Sequence, residues 1–306
     1  PPLVLEAVVT PAGGAPFPIT VVANHLRSLN GIDDPTPSGA GTAGGRVRAK
    51  RKAQAEWLAG WIQARQLAAP TERLLLVGDF NAFEFSDGYV DVIGTIAGTP
   101  AAADTVVLPT ADLVTPDLIN LVTWVPPTQR YSYVFEGSAQ VLDHGLITQN
   151  LSRLVSRVTF SRSNVDQPES LRGDETTPAR LSDHDGMVVG FAAGTPAVQV
   201  SVAGVTTSGT SVTVTLRLRN AGTGNLFDLA IGKVTARAVT GAGAIVLISA
   251  LPLPVAPVLG PGQAATTTLT FTVPAGVTRF ALVESGTYAN AAGRSLKFSG
   301  TQSVTR

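Results

Sequence analysis

Apolar residues in the first two thirds of the chain follow two different periods, and this predicts strands that alternate with helices. Short apolar runs at 3–10 and 19–24 indicate two strands, and the segment PAGGAPFP between them is typical of a turn. Apolar positions at helical spacing predict a helix over 46–66. The continuous apolar run RLLLVGDF at 73–80 is typical of a strand buried on both faces of an α/β sheet.

Shorter elements continue this alternation to the end of a first domain. The pattern predicts a short helix over 89–98, a hairpin over 131–150 and a last strand over 186–191. The small residues AAGTPA at 192–197 then indicate a linker. We therefore expect an α/β domain over 1–194.

From Val198 onward the apolar period changes to two. The stretches 211–220, 265–274 and 279–288 alternate apolar with small polar residues, and glycine-containing turns separate them. No helical pattern occurs in this part of the sequence. The pattern predicts a second domain over 198–306, an all-β sandwich of about seven strands and of Ig-like type.

Composition is typical of a globular protein with room for two domains. The chain has 306 residues, of which 44% are apolar and 14% charged. The absence of cysteine excludes disulfides and thiolate metal sites. Prolines interrupt the longest apolar stretch, 244–260, so no membrane span is expected. Because the chain begins Pro-Pro-Leu, we expect a processed product or a fragment.

The net charge of zero hides an uneven distribution. Acidic residues outnumber basic ones up to Pro196, and basic residues outnumber acidic ones after it. This asymmetry indicates that the two domains have different functions. The acidic first domain would need a metal ion before it could bind a polyanion.

The chain contains only three histidines, and each lies beside polar residues at the end of a predicted strand. They are His25, His144 and His184. A single scattered histidine is usually structural or solvated, and we expect a structural role for His144. Three histidines at strand ends favour acid–base chemistry, because strand ends are where α/β sheets place such groups.

The stretch GDFNAFE adds a carboxylate and an amide two positions apart. On an extended backbone Asp79 and Asn81 project to the same side, so Asn81 could donate to an oxyanion while Asp79 faces a metal ion or the attacking water. The alternative is that the strand simply leaves the core through a Gly-Asp-Phe-Asn turn.

Several short motifs follow one another in a fixed order between residues 19 and 191. They are NHLRS, QAEWLAGWI, LLLVGDFNAFE, YSYVFEGSAQVLDHGLIT and RLSDHD. This ordered set resembles the endonuclease/exonuclease/phosphatase superfamily, which includes deoxyribonuclease I, and in particular its secreted bacterial nucleases. The resemblance implies an α/β four-layer sandwich of the deoxyribonuclease I-like type for the first domain, with the N-terminal half of that sandwich missing.

The resemblance also implies a metal-dependent phosphodiesterase with defined catalytic roles. His184 would be the general base that takes a proton from water, and Asp143 would orient its ring and stabilise the imidazolium. His25 would act from the opposite side, by stabilising the developing charge or by assisting the leaving oxygen.

Metal and substrate ligands follow from the same family pattern. Asp183 would help to hold a divalent cation, with Asp79 close to it. Carboxylate ligands and a phosphate substrate favour Mg²⁺, with Mn²⁺ or Ca²⁺ as alternatives. Asn81 would bind a phosphate oxygen, and we also place Asn24 and Arg27 among the substrate-binding residues.

Other polar and aromatic residues have weaker signals. Asp185 is expected to serve as a turn or hydrogen-bonding residue. The basic run RVRAKRK at 46–52 indicates a solvated helix start, with contact to a phosphate backbone as the alternative. Trp57 and Trp61, four positions apart, are expected to pack in the core and not to stack on bases.

The missing half of the sandwich would leave one apolar sheet face exposed. We therefore expect either a separate N-terminal fragment as a partner or a truncated, inactive chain. The favoured function is that of an extracellular, secreted nuclease with DNA or RNA as substrate. The alternatives are a phosphoesterase acting on phospholipid or a small phosphoester, and an inactive chain that binds or adheres through the β domain.

Overall fold

The computed structural model of the chain describes residues 2–10 and 16–306. The centre of the predicted first turn, residues 11–15, lies outside the described residues. The chain divides into two compact units, the first containing 2–9 and 17–190 and the second 191–306. The predicted domain boundaries at 194 and 198 lie a few residues further along the chain. Both units contain more strand than helix.

The strands of the first unit are mostly short. They are β1 (Leu3–Val9), β2 (Phe17–His25), β3 (Pro37–Ser38), β4 (Gly41–Thr42), β5 (Leu74–Asp79), β6 (Ile119–Asn120), β7 (Tyr133–Phe135), β8 (Ser138–Gln140), β9 (Asp143–Ile147), β10 (Val155–Phe160) and β11 (Met187–Phe191). The helices are α1 (Ala43–Ala68), α2 (Val92–Ala97) and α3 (Gln149–Ser152), with 3₁₀ turns at Leu121–Trp124, Pro127–Gln129 and Glu169–Leu171.

Five of these strands form the central sheet in the order β1-β2-β5-β9-β6. Strands β2 and β5 are parallel, and the other pairs are antiparallel. The register pairs His25 with Asp79 and Asp79 with Asp143. His25, Asp79 and Asp143 therefore lie side by side at the ends of three neighbouring strands.

Helix α1 covers one face of this sheet. The apolar stripe Ala55, Leu58 and Ile62 packs against Leu74 and other buried sheet residues. The helix begins three residues earlier than predicted, because the Thr42 hydroxyl caps it by accepting a hydrogen bond from the Gly45 N–H at 3.0 Å. The pairing of β10 with β11 was not predicted, since polar residues interrupt the β10 segment.

The edge strand β1 leaves apolar side chains in water. Leu3 is 73% exposed and Leu5 57% exposed. Leu3 and Leu5 flank Val4 on β1, so their side chains project to the face opposite that of Val4. Val4 pairs with Val22, which belongs to the core that α1 covers. Leu3 and Leu5 therefore project from the face opposite α1, where the sequence predicted exposed apolar surface.

The second unit is built from strands in the described part of the chain, as predicted. They are β12 (Val198–Ser208), β13 (Ser211–Asn220), β14 (Leu226–Thr240), β15 (Val246–Leu247), β16 (Leu253–Leu259), β17 (Ala264–Thr272), β18 (Arg279–Ala289) and β19 (Ser295–Thr305). They form two antiparallel sheets, β12-β13-β17-β15 and β16-β14-β18-β19, and both contribute side chains to one apolar core. No helix among the described residues is long and apolar enough to cross a membrane.

Candidate active site

An imidazole and two carboxylates meet at one end of the inner strands of the central sheet. Asp79, Asp143 and His184 each offer a ligand atom, and these atoms lie within 4.8 Å of one another. Asp79 and Asp143 come from neighbouring strands, whereas His184 arrives from the loop before β11. All three side chains are partly buried, so they combine access to solvent with reduced screening of their charges.

The closest contact in this cluster is between Asp143 and His184. The His184 Nδ1 lies 2.7 Å from the Asp143 Oδ2. Since a carboxylate only accepts hydrogen bonds, Nδ1 carries the proton, and in the neutral ring Nε2 is the basic nitrogen. Tyr133 stacks on the imidazole with ring centroids 4.5 Å apart, which fixes the ring plane. This is the geometry of an oriented general base.

The charges around His184 alter its affinity for a proton. Burial lowers the pKa of His184, but the hydrogen bond to Asp143 and the charges of Asp143 and Asp79 together outweigh burial, so its pKa lies above the ordinary value. Asp79 responds in the same direction. Burial raises the pKa of Asp79, and the adjacent Asp143 carboxylate adds to that effect while the Asn81 N–H opposes it.

Asp79 and Asn81 meet through a turn and not through an extended strand. Strand β5 ends at Asp79, and Asn81 adopts a left-handed backbone conformation with φ 49°. The Asn81 N–H donates to Asp79 Oδ1 at 2.7 Å, and its side-chain amide donates to Asp79 Oδ2 at 2.9 Å. Of the two alternatives that the sequence left open, the structure has the Gly-Asp-Phe-Asn turn and not the extended backbone, because the Asp79 side chain binds the amide two residues ahead. The pair is nevertheless brought together.

Within this turn the Asn81 side-chain amide binds other groups of the protein. Its Nδ2 also donates to the Leu26 carbonyl at 3.1 Å, so both amide hydrogens have partners within the protein. Asn81 thus positions the Asp79 carboxylate, and its contact with a phosphate oxygen stays a prediction. Gly78 allows the close approach of β5 and β2, since it has φ 124° and a Cβ there would lie 2.0 Å from the Asn24 carbonyl oxygen.

The predicted substrate-binding residues around β2 lie in different environments. His25 is largely exposed, and its Nε2 lies 3.5 Å from the Asp79 Oδ2, so it joins the rim of the cluster. Asn24 is buried and donates to the Val22 carbonyl at 3.2 Å. Arg27 donates to the Ser28 hydroxyl at 2.6 Å and to the Asn30 carbonyl at 2.8 Å, so its guanidinium shapes the loop after β2.

Asp183 and Asp185 have opposite environments although they flank His184. Asp183 is exposed and is not part of the Asp79–Asp143–His184 cluster, so its role as a metal ligand stays a prediction. Asp185 is fully buried, and its carboxylate accepts hydrogen bonds from the backbone N–H groups of Asn164 at 2.9 Å and Val165 at 3.3 Å. The prediction that Asp185 is a hydrogen-bonding residue is confirmed.

Two residues that the sequence did not single out hold the site together. The buried Ser132 hydroxyl accepts from the Asp143 N–H at 3.1 Å, and the Ser132 carbonyl accepts from the Asp185 N–H at 2.8 Å. Asn164 donates to the His184 carbonyl at 2.7 Å. Ser132 lies within the motif YSYVF, which marked the segment but not the residue. No sequence signal pointed to Asn164.

Arg51 connects three loops beneath the site. It is 1% exposed and donates to the carbonyls of Arg27 at 2.8 Å and Asn81 at 2.6 Å, and it pairs with Asp87 at 3.0 Å. Burial lowers the pKa of Arg51, while Asp87 raises it. The basic run 46–52 therefore divides by helix face, since Arg51 is structural and Lys50 is exposed.

His144 and the two tryptophans of α1 differ in their burial. His144 is fully buried between the Ala82 carbonyl, 2.8 Å from Nε2, and the Asn120 amide, 3.1 Å from Nδ1, and burial lowers its pKa to about 4. The structure supports the structural role expected for it. Trp61 packs against the core as predicted. The same prediction for Trp57 was wrong: Trp57 is 56% exposed, because it lies outside the buried stripe of α1.

The donor set agrees with the chemistry of a hard divalent cation. Asp79 and Asp143 supply carboxylate oxygens close to one another, which is the ligand type that Mg²⁺, Mn²⁺ and Ca²⁺ share. The Asn81 amide orients Asp79, and outer hydrogen bonds of this kind set the direction of metal ligands. The residues present could therefore hold such an ion, without distinguishing among the three metals.

Comparisons with known proteins leave this geometry to be interpreted on its own. No family model matches the chain, and no curated protein is significantly similar to it. The functional interpretation therefore rests on the cluster of Asp79, Asp143 and His184, and on the sequence motifs that predicted it.

Proposed function

We propose that the chain is a metal-dependent phosphodiesterase, and specifically a secreted nuclease that hydrolyses DNA or RNA. One observation carries this proposal: the His184 imidazole is hydrogen-bonded to Asp143 at 2.7 Å within a cluster that also contains the Asp79 carboxylate. A histidine oriented by one acid and adjacent to a second is suited to taking a proton from water beside a bound phosphate.

Each protein group in the cluster has a distinct role in this proposal. His184 accepts the water proton at Nε2, and Asp143 stabilises the imidazolium that forms. His25, 3.5 Å from Asp79 on the open side, stabilises charge on the leaving oxygen. Asp79 and Asp143 would hold Mg²⁺, with Asp183 as a further candidate ligand. Such a cation supplies positive charge that offsets the charge developing on the phosphate.

The proposal also includes a fold for each of the two units. A mixed sheet covered by α1 supports a deoxyribonuclease I-like sandwich for the first unit. Two four-stranded antiparallel sheets around one core support an Ig-like fold for the second. Exposed Leu3 and Leu5 support a partner polypeptide that covers the open sheet face. Secretion rests on the sequence resemblance alone.

A hydrolysis assay tests the proposed function. The purified chain, with Mg²⁺, is expected to cleave plasmid DNA or single-stranded RNA, and a chelator should abolish cleavage. His184→Ala should lower the rate by about 10²–10⁴-fold, the usual contribution of a positioned acid or base. Asp104→Asn, a change to an exposed acid outside the cluster, serves as the matched control and should leave the rate unchanged.

Two other results would redirect the interpretation. Metal-dependent hydrolysis of phosphatidylcholine vesicles, but not of nucleic acid, would favour a phospholipid substrate. Absence of turnover on all of these substrates, including a small aryl phosphodiester, would refute the enzyme and leave a binding role for the second unit.

A further inference from the structure

A groove beside His25 has no role in the catalytic cluster described above. It has a volume of about 430 Å³ and is lined by residues from the end of β2 and from one face of α1. His25 and Asn24 form one wall, and Lys50 and Trp57 form the other. His25 lies in the groove and also lies 3.5 Å from Asp79. His25 therefore borders both the groove and the candidate active site.

Trp57 gives this groove a flat apolar surface. Its indole is 56% exposed, although Trp61, one helical turn further along α1, packs against the core. The α1 residues that line the groove recur at intervals of three and four, so they share one helix face: Lys50, Ala53, Gln54, Trp57 and Leu58. An exposed indole next to a catalytic cluster offers a platform on which a planar ring can stack.

Asn24 gives the groove an unsatisfied acceptor. The residue is 6% exposed, and its Oδ1 has no hydrogen-bond partner among the described residues. The Asn24 amide group already donates to the Val22 carbonyl. This oxygen is enclosed by protein, so a ligand N–H reaches it only if the Asn24 side chain turns toward the groove, and such a contact would satisfy the unpaired acceptor.

Lys50 adds positive charge at the mouth of the groove. Its neighbour Lys52 is held by Glu56 at 3.6 Å, whereas Lys50 is exposed and forms no ion pair within the described part of the chain. The groove thus combines a flat aromatic surface, a hydrogen-bond acceptor and a cation. A nucleotide matches this combination, since it has a planar base with N–H groups and an anionic phosphate.

We propose that the groove binds the base of the nucleotide adjacent to the phosphodiester that is cleaved. The base stacks on Trp57, and Lys50 contacts the neighbouring phosphate. A turn of the Asn24 side chain toward the groove lets it accept an N–H of the base. This inference rests on the proposed nuclease function and narrows its substrate class. A base can stack on Trp57 only when it is unpaired, so the preferred substrate is single-stranded or locally unpaired nucleic acid.

Binding in the absence of turnover tests the groove separately from catalysis. The probes are a fluorescently labelled thymidine octanucleotide and an octamer with the same phosphodiester backbone but no bases, each titrated with the full chain in excess chelator. The wild-type chain should bind the thymidine octamer more tightly, by roughly 5- to 150-fold, the range that one base–aromatic stack provides. Trp57→Ala should abolish this difference between the probes.

Two further variants distinguish the loss of base stacking from a loss of folding. Trp57→Phe keeps an aromatic ring and should retain most of the preference for the octamer with bases. Trp124→Ala removes another exposed indole, 46% exposed and not among the groove residues, and should retain all of it. Unfolding midpoints of all three variants establish that each one is folded.

The outcomes distinguish this inference from the proposed function. If Trp57→Ala binds and discriminates between the two octamers as the wild-type chain does, the groove assignment is wrong even if Mg²⁺-dependent hydrolysis persists. If the base-dependent binding is lost in Trp57→Ala but no variant or wild-type chain hydrolyses either octamer, the groove assignment is supported and the nuclease proposal fails.

Discussion

The two units of the molecule differ in how they hold buried charged side chains. In the first unit, buried Arg51 pairs with Asp87 and donates to two backbone carbonyls, and buried Asp185 pairs with Arg162 and accepts from two backbone N–H groups. In the second unit, buried Glu284 accepts one hydrogen bond from Gln302 at 3.0 Å, while its other carboxylate oxygen has no partner among the described residues. The buried charges of Arg51 and Asp185 therefore have ion-pair partners, whereas Glu284 has none among the described residues.

This difference follows from how each unit builds its core. The strands of the second unit alternate apolar and polar residues, so the sheets pair their own backbone groups and need few polar side chains inside. The first unit places long irregular segments at the end of its sheet. Their backbone groups require partners, and buried polar side chains supply them. The same segments carry the candidate active site, which is why we propose catalysis for the first unit.

The largest expected effect comes from Asp143→Asn. The substitution keeps the size of the side chain but removes the carboxylate that orients His184, so kcat on a DNA substrate should fall by about 10²–10⁴-fold. Glu284→Gln makes the same chemical change in the second unit and should leave kcat unaltered. Equal losses in the two variants, measured under the same conditions, would remove the functional contrast between the units.

Arg51→Met should destabilise the first unit by about 3–5 kcal/mol, because it leaves Asp87 and two carbonyls without their buried partner. Urea unfolding followed by the fluorescence of the tryptophans, all in the first unit, measures the effect. Lys52→Met is the adjacent control, since its ion pair with Glu56 is partly exposed and should contribute less than about 1 kcal/mol. Similar losses in both variants would contradict the role given to Arg51.

The isolated acid of the second unit should make stability depend on pH. Burial raises the pKa of Glu284 above its unfolded value, and the Gln302 hydrogen bond only partly opposes this. Its contribution to stability is therefore fully present below the unfolded pKa and is lost as pH rises through the higher folded pKa. Glu284→Gln should remove that loss and raise stability at neutral pH by about 1 kcal/mol. Thermal unfolding from pH 4 to pH 8 compares the two chains, and parallel curves would count against this prediction.

The smallest effect concerns Asp183, the third carboxylate proposed as a metal ligand. Asp183→Asn should raise the Mg²⁺ concentration needed for half-maximal activity by less than about tenfold, because Asp183 is exposed and outside the cluster. Asp79→Asn should raise it more. A titration of activity with Mg²⁺ in both variants ranks the ligands, and the reverse order would restore Asp183 as the principal one.

Local pattern was sufficient for most of the longer elements and for the order of the site residues. It missed β10, and the hairpin predicted over 131–150 is confined to β7 and β8, because β9 pairs with β5. The apolar run at 73–80 predicted β5, which ends at Asp79, and the alternation after Val198 predicted the strands of the second unit. Both signals depend on neighbouring residues in the chain, so they can be recognised without knowing what packs where. The predicted contact between Asp143 and His184 came from a resemblance of motifs and not from periodicity.

Trp57 illustrates what local pattern could not decide. Its spacing from Trp61 indicated a shared core face, yet each residue turns an α-helix by about 100°, and the buried stripe of Ala55, Leu58 and Ile62 leaves Trp57 at its side. The Asp79–Asn81 turn is a similar case, because an Asp side chain there competes with continuation of the strand.

The sequence by itself determined where the principal helix and most of the longer strands form, and which acids and histidines lie at their ends. Only the tertiary structure decided that His25, Asp79 and Asp143 lie side by side, because strand register depends on pairings between segments far apart in the chain. It also decided which polar groups are buried with partners and which aromatic ring faces water, since burial is a property of the neighbours and not of the residue.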